Sequence, residues 1–333
     1  MIRVLLKKSM SVAIAMVLVN HIAMPLAYGQ GIRNSIAREN EPILPIPFQH
    51  KFDKRKVSLG ERLFHETLLS ADNSISCASC HEIERWGVDG TPTSTGIEGQ
   101  VGTANAPTVM NSRFNFAQFW DGRAANLEEQ AKGPITNPAE MGSIFKDVIE
   151  KLRNDKSYDT QFRIIYPEGI TPDTIVDAIK SYEYTLTTIN APFDQYLRGY
   201  DDAISLNQKR GYSLFKKYGC VACHQGVNVG GNMYQRMGAF IPYFNENNTD
   251  TRDDLGRFNV TKNKEDLHVF KVPSLRLAAF TAPYFHDGSV ATLELAIEIM
   301  ASYQLGYKIP LQDKKDIAAF IRSLAGVYRR SEK

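Results

Sequence analysis

The chain has 333 residues, 43% hydrophobic and 23% charged, which suits about two globular domains. Its 39 Lys and Arg against 37 Asp and Glu leave a formal charge of +2, and the basic residues are scattered, so it lacks the electrostatic footprint of a nucleic-acid binder. Each half is long enough to bury a core of its own.

In chain order, the first element is an export signal. Arg3, Lys7 and Lys8 precede an apolar run from Met10 to Met24, and Ala27-Tyr28-Gly29 offers small residues before Gln30. Residues 1–29 are therefore expected to be removed. An uncleaved anchor is the alternative, which Asn20, His21 and Pro25 weaken.

An exported chain with four cysteines would normally suggest a disulfide framework. Here they fall as two tight pairs, each closed by a histidine: Cys77-Ala-Ser-Cys80-His81 and Cys220-Val-Ala-Cys223-His224. Cys-x-x-Cys-His is the attachment signature of haem c, in which two thiols add to the vinyl groups and the next residue supplies the proximal imidazole. One short helical turn presents both sulfurs and swings the histidine beneath the iron. A four-ligand zinc site would leave both histidines unexplained, and a thioredoxin-like pair belongs to a different strand-to-helix setting.

Sequence around the motifs repeats. Gly60-Glu-Arg-Leu63-Phe64 lies upstream of the first and Gly211-Tyr-Ser-Leu214-Phe215 upstream of the second. Downstream, Pro107-Thr108, Phe119-Trp120-Asp121-Gly122 and Leu127-Glu128 return as Pro273-Ser274, Phe285-His286-Asp287-Gly288 and Leu293-Glu294 at one constant offset. This reads as a duplicated unit, with Trp120 and His286 in equivalent places. The second copy carries an insertion with Gly230-Gly231 and a polar run from Asn245 to Asp254, expected to be surface loop.

Helices are expected from Thr171-Pro172 to about Thr187, and over 205–218, 291–302 and 311–325. No sustained alternation argues for a large sheet. The expected fold is mainly α: two cytochrome c-like haem domains related by internal duplication, over residues 30–190 and 191–333 with Pro192 near the boundary, and extensive irregular loops.

These residues resemble the bacterial dihaem cytochrome c peroxidases and the related dihaem enzymes that mature tryptophan tryptophylquinone. The resemblance runs from about Val57 to Leu324 and rests on both haem motifs, Asn105-Ala106-Pro107-Thr108, Phe119-Trp120-Asp121-Gly122-Arg123, Glu129 to Pro134, Glu140-Met141, Lys271-Val272-Pro273 and Tyr284 to Gly288. It implies that His224 is the proximal ligand of a high-potential haem where electrons enter, with Met300 as its second axial ligand. His81 would hold the haem where peroxide reacts, with Gln130 and Glu140 on its distal face and Trp120 between the two haems. A base there must take a proton from peroxide and return it to the departing oxygen. His286 would support a haem propionate or the interface between domains. Asn105, Thr281 and Pro283 match the family's calcium site, which needs few side chains because calcium accepts carbonyl and water oxygens.

One position departs from the family. Members blocked at rest carry a histidine ligand shortly after the Pro-Thr-Ser segment; here Pro92-Thr93-Ser94-Thr95-Gly96 leads into Ile97, which has no donor atom. The implied function is a periplasmic peroxidase that reduces hydrogen peroxide to water with electrons from a small cytochrome c or copper protein (cupredoxin), and the resemblance implies a homodimer. Two alternatives remain: an oxidase that modifies residues of a partner protein, in which a tyrosine such as Tyr303 would replace Met300, and a non-catalytic electron carrier with both irons fully ligated.

Overall fold

The computed structural model describes residues 38, 40–48, 51–244 and 251–328; the expected export signal, His50 and the first part of the polar run lie outside them. The described chain is mostly helical. In order the helices and strands are α1 (Lys54–Phe64), α2 (Cys77–Cys80), α3 (Leu127–Thr136), α4 (Phe145–Asn154), α5 (Lys156–Ile165), α6 (Pro172–Glu183), β1 (Thr188–Ile189), α7 (Pro192–Leu197), α8 (Leu206–Lys217), β2 (Tyr234–Arg236), α9 (Phe258–Thr261), β3 (Val269–Lys271), α10 (Leu293–Ile299), α11 (Leu311–Arg322) and β4 (Val327–Tyr328). Between α10 and α11, Met300–Gln304 forms a π-helical turn.

Two helix pairs organise the fold. Asp53 caps α1 by accepting from the Arg55 backbone N–H, and the helix buries Val57, Leu59, Leu63 and Phe64 along one stripe. Its partner α6 starts at Thr171, with Pro172 in the first turn and reciprocal bonds between Thr171 and Thr174. The two helices cross at Gly60, where a methyl group would overlap the Ala178 carbonyl. Ser205 and Gln208 cap α8 in the same reciprocal way, and α8 crosses α11 at Gly211, where a methyl would overlap the Asp316 carbonyl. Glycine permits each close approach.

The helix expected to reach Thr187 stops at Glu183. Thr185 and Thr187 donate their hydroxyls to the carbonyls of Tyr182 and Tyr184, at 2.7 and 3.1 Å, and the chain turns into β1. The 291–302 helix loosens at Met300, and the 311–325 helix ends at Arg322. Helices α4 and α5 were not anticipated, although Asp155 between them accepts from the Ser157 and Tyr158 backbone N–H groups and each helix has an apolar stripe. As expected there is no large sheet: among the described residues β1 pairs antiparallel with β4, and β2 with β3.

Local geometry recurs at the repeated sequence. Phe119 and Phe285 both take left-handed φ, at 67° and 69°, and short bridges link Gln118 to Ala124 and Tyr284 to Val290. Buried apolar residues form two clusters. The first holds Leu59, Leu63, Val148, Phe162, Ile175 and Ile179, and takes in Leu277 from the later half. The second holds Phe193, Tyr212, Phe215, Ile317 and Phe320, and takes in Ile43 from the start of the chain. Among the described residues no helix is long and apolar enough to cross a membrane.

Candidate active site

The first motif is the single turn α2. The Ser76 backbone N–H donates to Ser79 Oγ at 3.0 Å, and the His81 N–H closes on the Cys77 carbonyl at 3.0 Å. His81 Nδ1 lies 3.2 Å from the Gly87 carbonyl. A carbonyl only accepts, so Nδ1 carries the proton and Nε2 keeps its lone pair. Burial holds the ring below the usual histidine range, which keeps it neutral.

The second motif repeats this logic. Gly219 at φ 90° admits the tight turn Cys220–Ala222, and the His224 N–H donates to the Cys220 carbonyl at 3.0 Å. Its Nδ1 faces the Val229 carbonyl at 3.4 Å, and burial pushes the ring down to about 4. All four cysteines are unpaired and half-buried. Burial pushes Cys77 up to about 12 and Cys220 to about 11, the reverse of a catalytic redox thiol. Among the described residues no group of three or more His, Cys, Asp or Glu is placed to hold a metal ion.

Beside the second motif lies a cavity of about 260 Å³, walled by Cys220, Cys223 and His224 and by Met300, Ile297 and Leu293 of the facing helix. Met300 stands at the first position of the π-helical turn, a distortion common at functional sites. Tyr303, two-thirds of a turn on, packs its ring against Tyr243 at 5.1 Å. Trp120 lines the same cavity, with its indole N–H on the Asn105 carbonyl at 2.9 Å. The Asn105 N–H in turn reaches the His286 carbonyl at 2.7 Å, and the His286 ring pairs with Asp254 at 2.7 Å. Asn105, Thr281 and Pro283 all border this cavity.

Glu140 belongs to the first motif. Its charge is felt at both Cys77 and Cys80. Asn137, the C-cap of α3, donates its side-chain N–H to Glu140 Oε1 at 2.7 Å, and the Glu140 carbonyl accepts from Ile97 N at 2.9 Å. Ile97 is buried and fits over Gly142, where a methyl would collide with it. Gln130, half-buried, is carried on α3 itself.

Sequence reading missed Glu183. It ends α6, 4% exposed, with Oε2 unpartnered, close enough to raise the Cys77 thiol, and burial pushes its own carboxyl up to about 8. The folded chain therefore holds a proton that the unfolded chain releases near 4.3. This contribution to stability is full below that value and is lost as pH rises towards 8. Glu183→Gln is expected to flatten that decline, measured by denaturant unfolding at pH 5 and pH 8; an identical slope in both proteins would remove Glu183 as its source.

The residues fit haem c: paired half-buried thiols, neutral imidazoles with a fixed tautomer and, at the second motif, an apolar cavity with a thioether on its wall. A family model described as di-haem cytochrome c peroxidase matches residues 54–202. Cytochrome c peroxidase Ccp of Escherichia coli K12 is 49% identical over 291 residues, covering 87% of this chain and 62% of that protein, so the chain spans less than two thirds of that relative. The cytochrome c551 peroxidase of Nitrosomonas europaea is 43% identical over 288 residues, 86% of this chain and 85% of that one. The chain belongs to the di-haem cytochrome c peroxidase family. It is accordingly an oxidoreductase of the cytochrome c peroxidase class, and membership implies two haem c groups. The crystal structure of a MauG-like protein associated with microbial copper homeostasis superposes with a TM-score of 0.72 at 27% identity, covering 90% of this chain and 96% of that one.

Proposed function

We propose that this chain is an exported, periplasmic peroxidase that converts hydrogen peroxide, two protons and two electrons into two waters. The electrons come from a small cytochrome c or cupredoxin and enter through the haem of Cys220, Cys223 and His224. Residues 30–190 form the peroxidatic half and residues 191–333 the electron-entry half. The matching turns at Phe119 and Phe285 and the matching crossings at Gly60 and Gly211 support descent of both from one duplicated unit.

Haem, when bound, would supply a redox-active iron able to react with peroxide. His81 would hold the iron of the first haem, and His224 and Met300, which line one cavity, would hold that of the second. Glu140 takes a proton from one peroxide oxygen and returns it to the departing one. Gln130 orients the substrate, and Trp120 conducts between the halves. Asn105 spends its side-chain N–H on the Thr91 and Pro92 carbonyls, which leaves its oxygen to join Thr281 and Pro283 around a calcium ion. The chain acts as a homodimer.

The observation that carries this reading is that Glu140 accepts from Asn137 and lies within electrostatic reach of both cysteines of the first motif. Met300 on the cavity wall, with Tyr303 turned to Tyr243, favours it over the oxidase that modifies a partner protein. The test is peroxide turnover with a reduced cytochrome c, run beside mass analysis of co-expressed proteins. Covalent change in a partner without peroxide turnover would replace this reading with the oxidase. Met300→Leu should also make the second haem harder to reduce, because a thioether favours ferrous iron; an unchanged midpoint potential would return Met300 to the core.

A further inference from the structure

Two buried cations line the cavity beside Cys220 and Cys223, and the fold answers only one of them. Arg276, 1% exposed, pairs with Asp194 at 2.9 Å and donates to the Val227 and Leu44 carbonyls. Lys271 is 6% exposed and makes no ion pair or side-chain hydrogen bond among the described residues. Burial alone pushes its ammonium down to about 8.

Lys271 is held firmly. It closes β3 opposite Tyr234 of β2, and its backbone N–H donates to the Trp120 carbonyl at 2.8 Å. The two strands supply no anion: Arg236, their other charged residue, is itself a cation and is held by the Leu267 and Glu265 carbonyls. A buried ammonium without an anion is costly, and a fold keeps one where an anion arrives with a ligand. The cavity that Lys271 lines is the one bordered by Cys220, Cys223 and His224, where a haem attached to that motif would lie, and haem carries two carboxylates.

We propose that Lys271 is the counter-charge of the haem propionates in this cavity, and that its cation sets this haem at a higher potential than a neutral side chain would. The proposal rests on the assignment of haem to Cys220, Cys223 and His224. Reduction adds one negative charge to the haem, so a fixed cation nearby stabilises the reduced form.

The experiment is a redox titration of the full-length holoprotein carrying Lys271→Met, Lys271→Gln or Lys271→Arg, with intact mass read on each. Met and Gln should lower the reduction equilibrium constant of this haem roughly tenfold, about 59 mV for a one-electron couple, and Arg should restore it. Loss of this haem from Met and Gln, with Arg retaining it, supports the same role. Unchanged midpoints in Met and Gln with both haems attached would overturn the proposal, as would loss of the haem from all three variants, which would mark a packing role. Absence of the second haem mass from the unmutated protein would instead sink the haem assignment itself.

Discussion

Glu140→Gln is expected to slow peroxide reduction about 100- to 10,000-fold, the usual cost of losing a positioned acid-base group, while both haems stay attached and reducible. The carboxamide retains an oxygen to accept from Asn137. The backbone at this position is fixed independently, by Glu140 N on the Asn137 carbonyl at 3.0 Å and by the Glu140 carbonyl accepting from Ile97. The substitution thus removes proton exchange with little change of shape. Stopped-flow measurement of the peroxide step should show the loss without a matching fall in the rate of reduction by the donor. Turnover within a few-fold of the parent protein would take Glu140 out of the mechanism.

The second large effect concerns readiness. The fully oxidised protein is expected to react with peroxide directly, and Ile97→His to abolish that reaction until one electron has been supplied. Gating of this kind needs a ligand whose binding differs between two states, and Ile97 offers no donor atom. The remaining described histidines are engaged elsewhere. His65 bonds the Glu61 carbonyl at 2.9 Å, His268 stacks on Phe244 and faces the Asp254 carbonyl, and His286 pairs with the Asp254 carboxylate. Electron paramagnetic resonance of the oxidised protein should show one high-spin and one low-spin ferric haem. Two low-spin signals, with peroxide reactivity only after partial reduction, would show that another residue closes the site.

What was legible in the sequence was what covalent chemistry dictates. Haem attachment demands two thiols and an imidazole at fixed spacing, so Cys77 to His81 and Cys220 to His224 could be read without a fold. Met300 was different: on an amphipathic helix a methionine looks like core, and the π-helical turn that marks it is a property of the folded backbone. Glu140 had to be placed by family register, because its tether, Asn137, is three residues away and looks like any helix end. Glu183 and Lys271 were harder still. A single Glu or Lys reads as surface, and only the packing of α6 against α1, or of β3 against Trp120, shows either one to be buried. The recurring letters were visible in the sequence; that Gly60 and Gly211 each sit against a carbonyl of the facing helix shows only in the folded chain.

The cores trade members. Ile43, near the beginning, completes the cluster around Phe193 and Phe320, while Leu277 sits in the cluster around Leu63 and Phe162, and Ala325 and Tyr328 pack against that cluster from the far end of the chain. β1 and β4 are each two residues long, and each finds its only ladder partner in the other half among the described residues. A chain severed near residue 190 would leave holes in both fragments. Each stretch is thus scaffold for the other, so neither could be transplanted or expressed alone with its core complete.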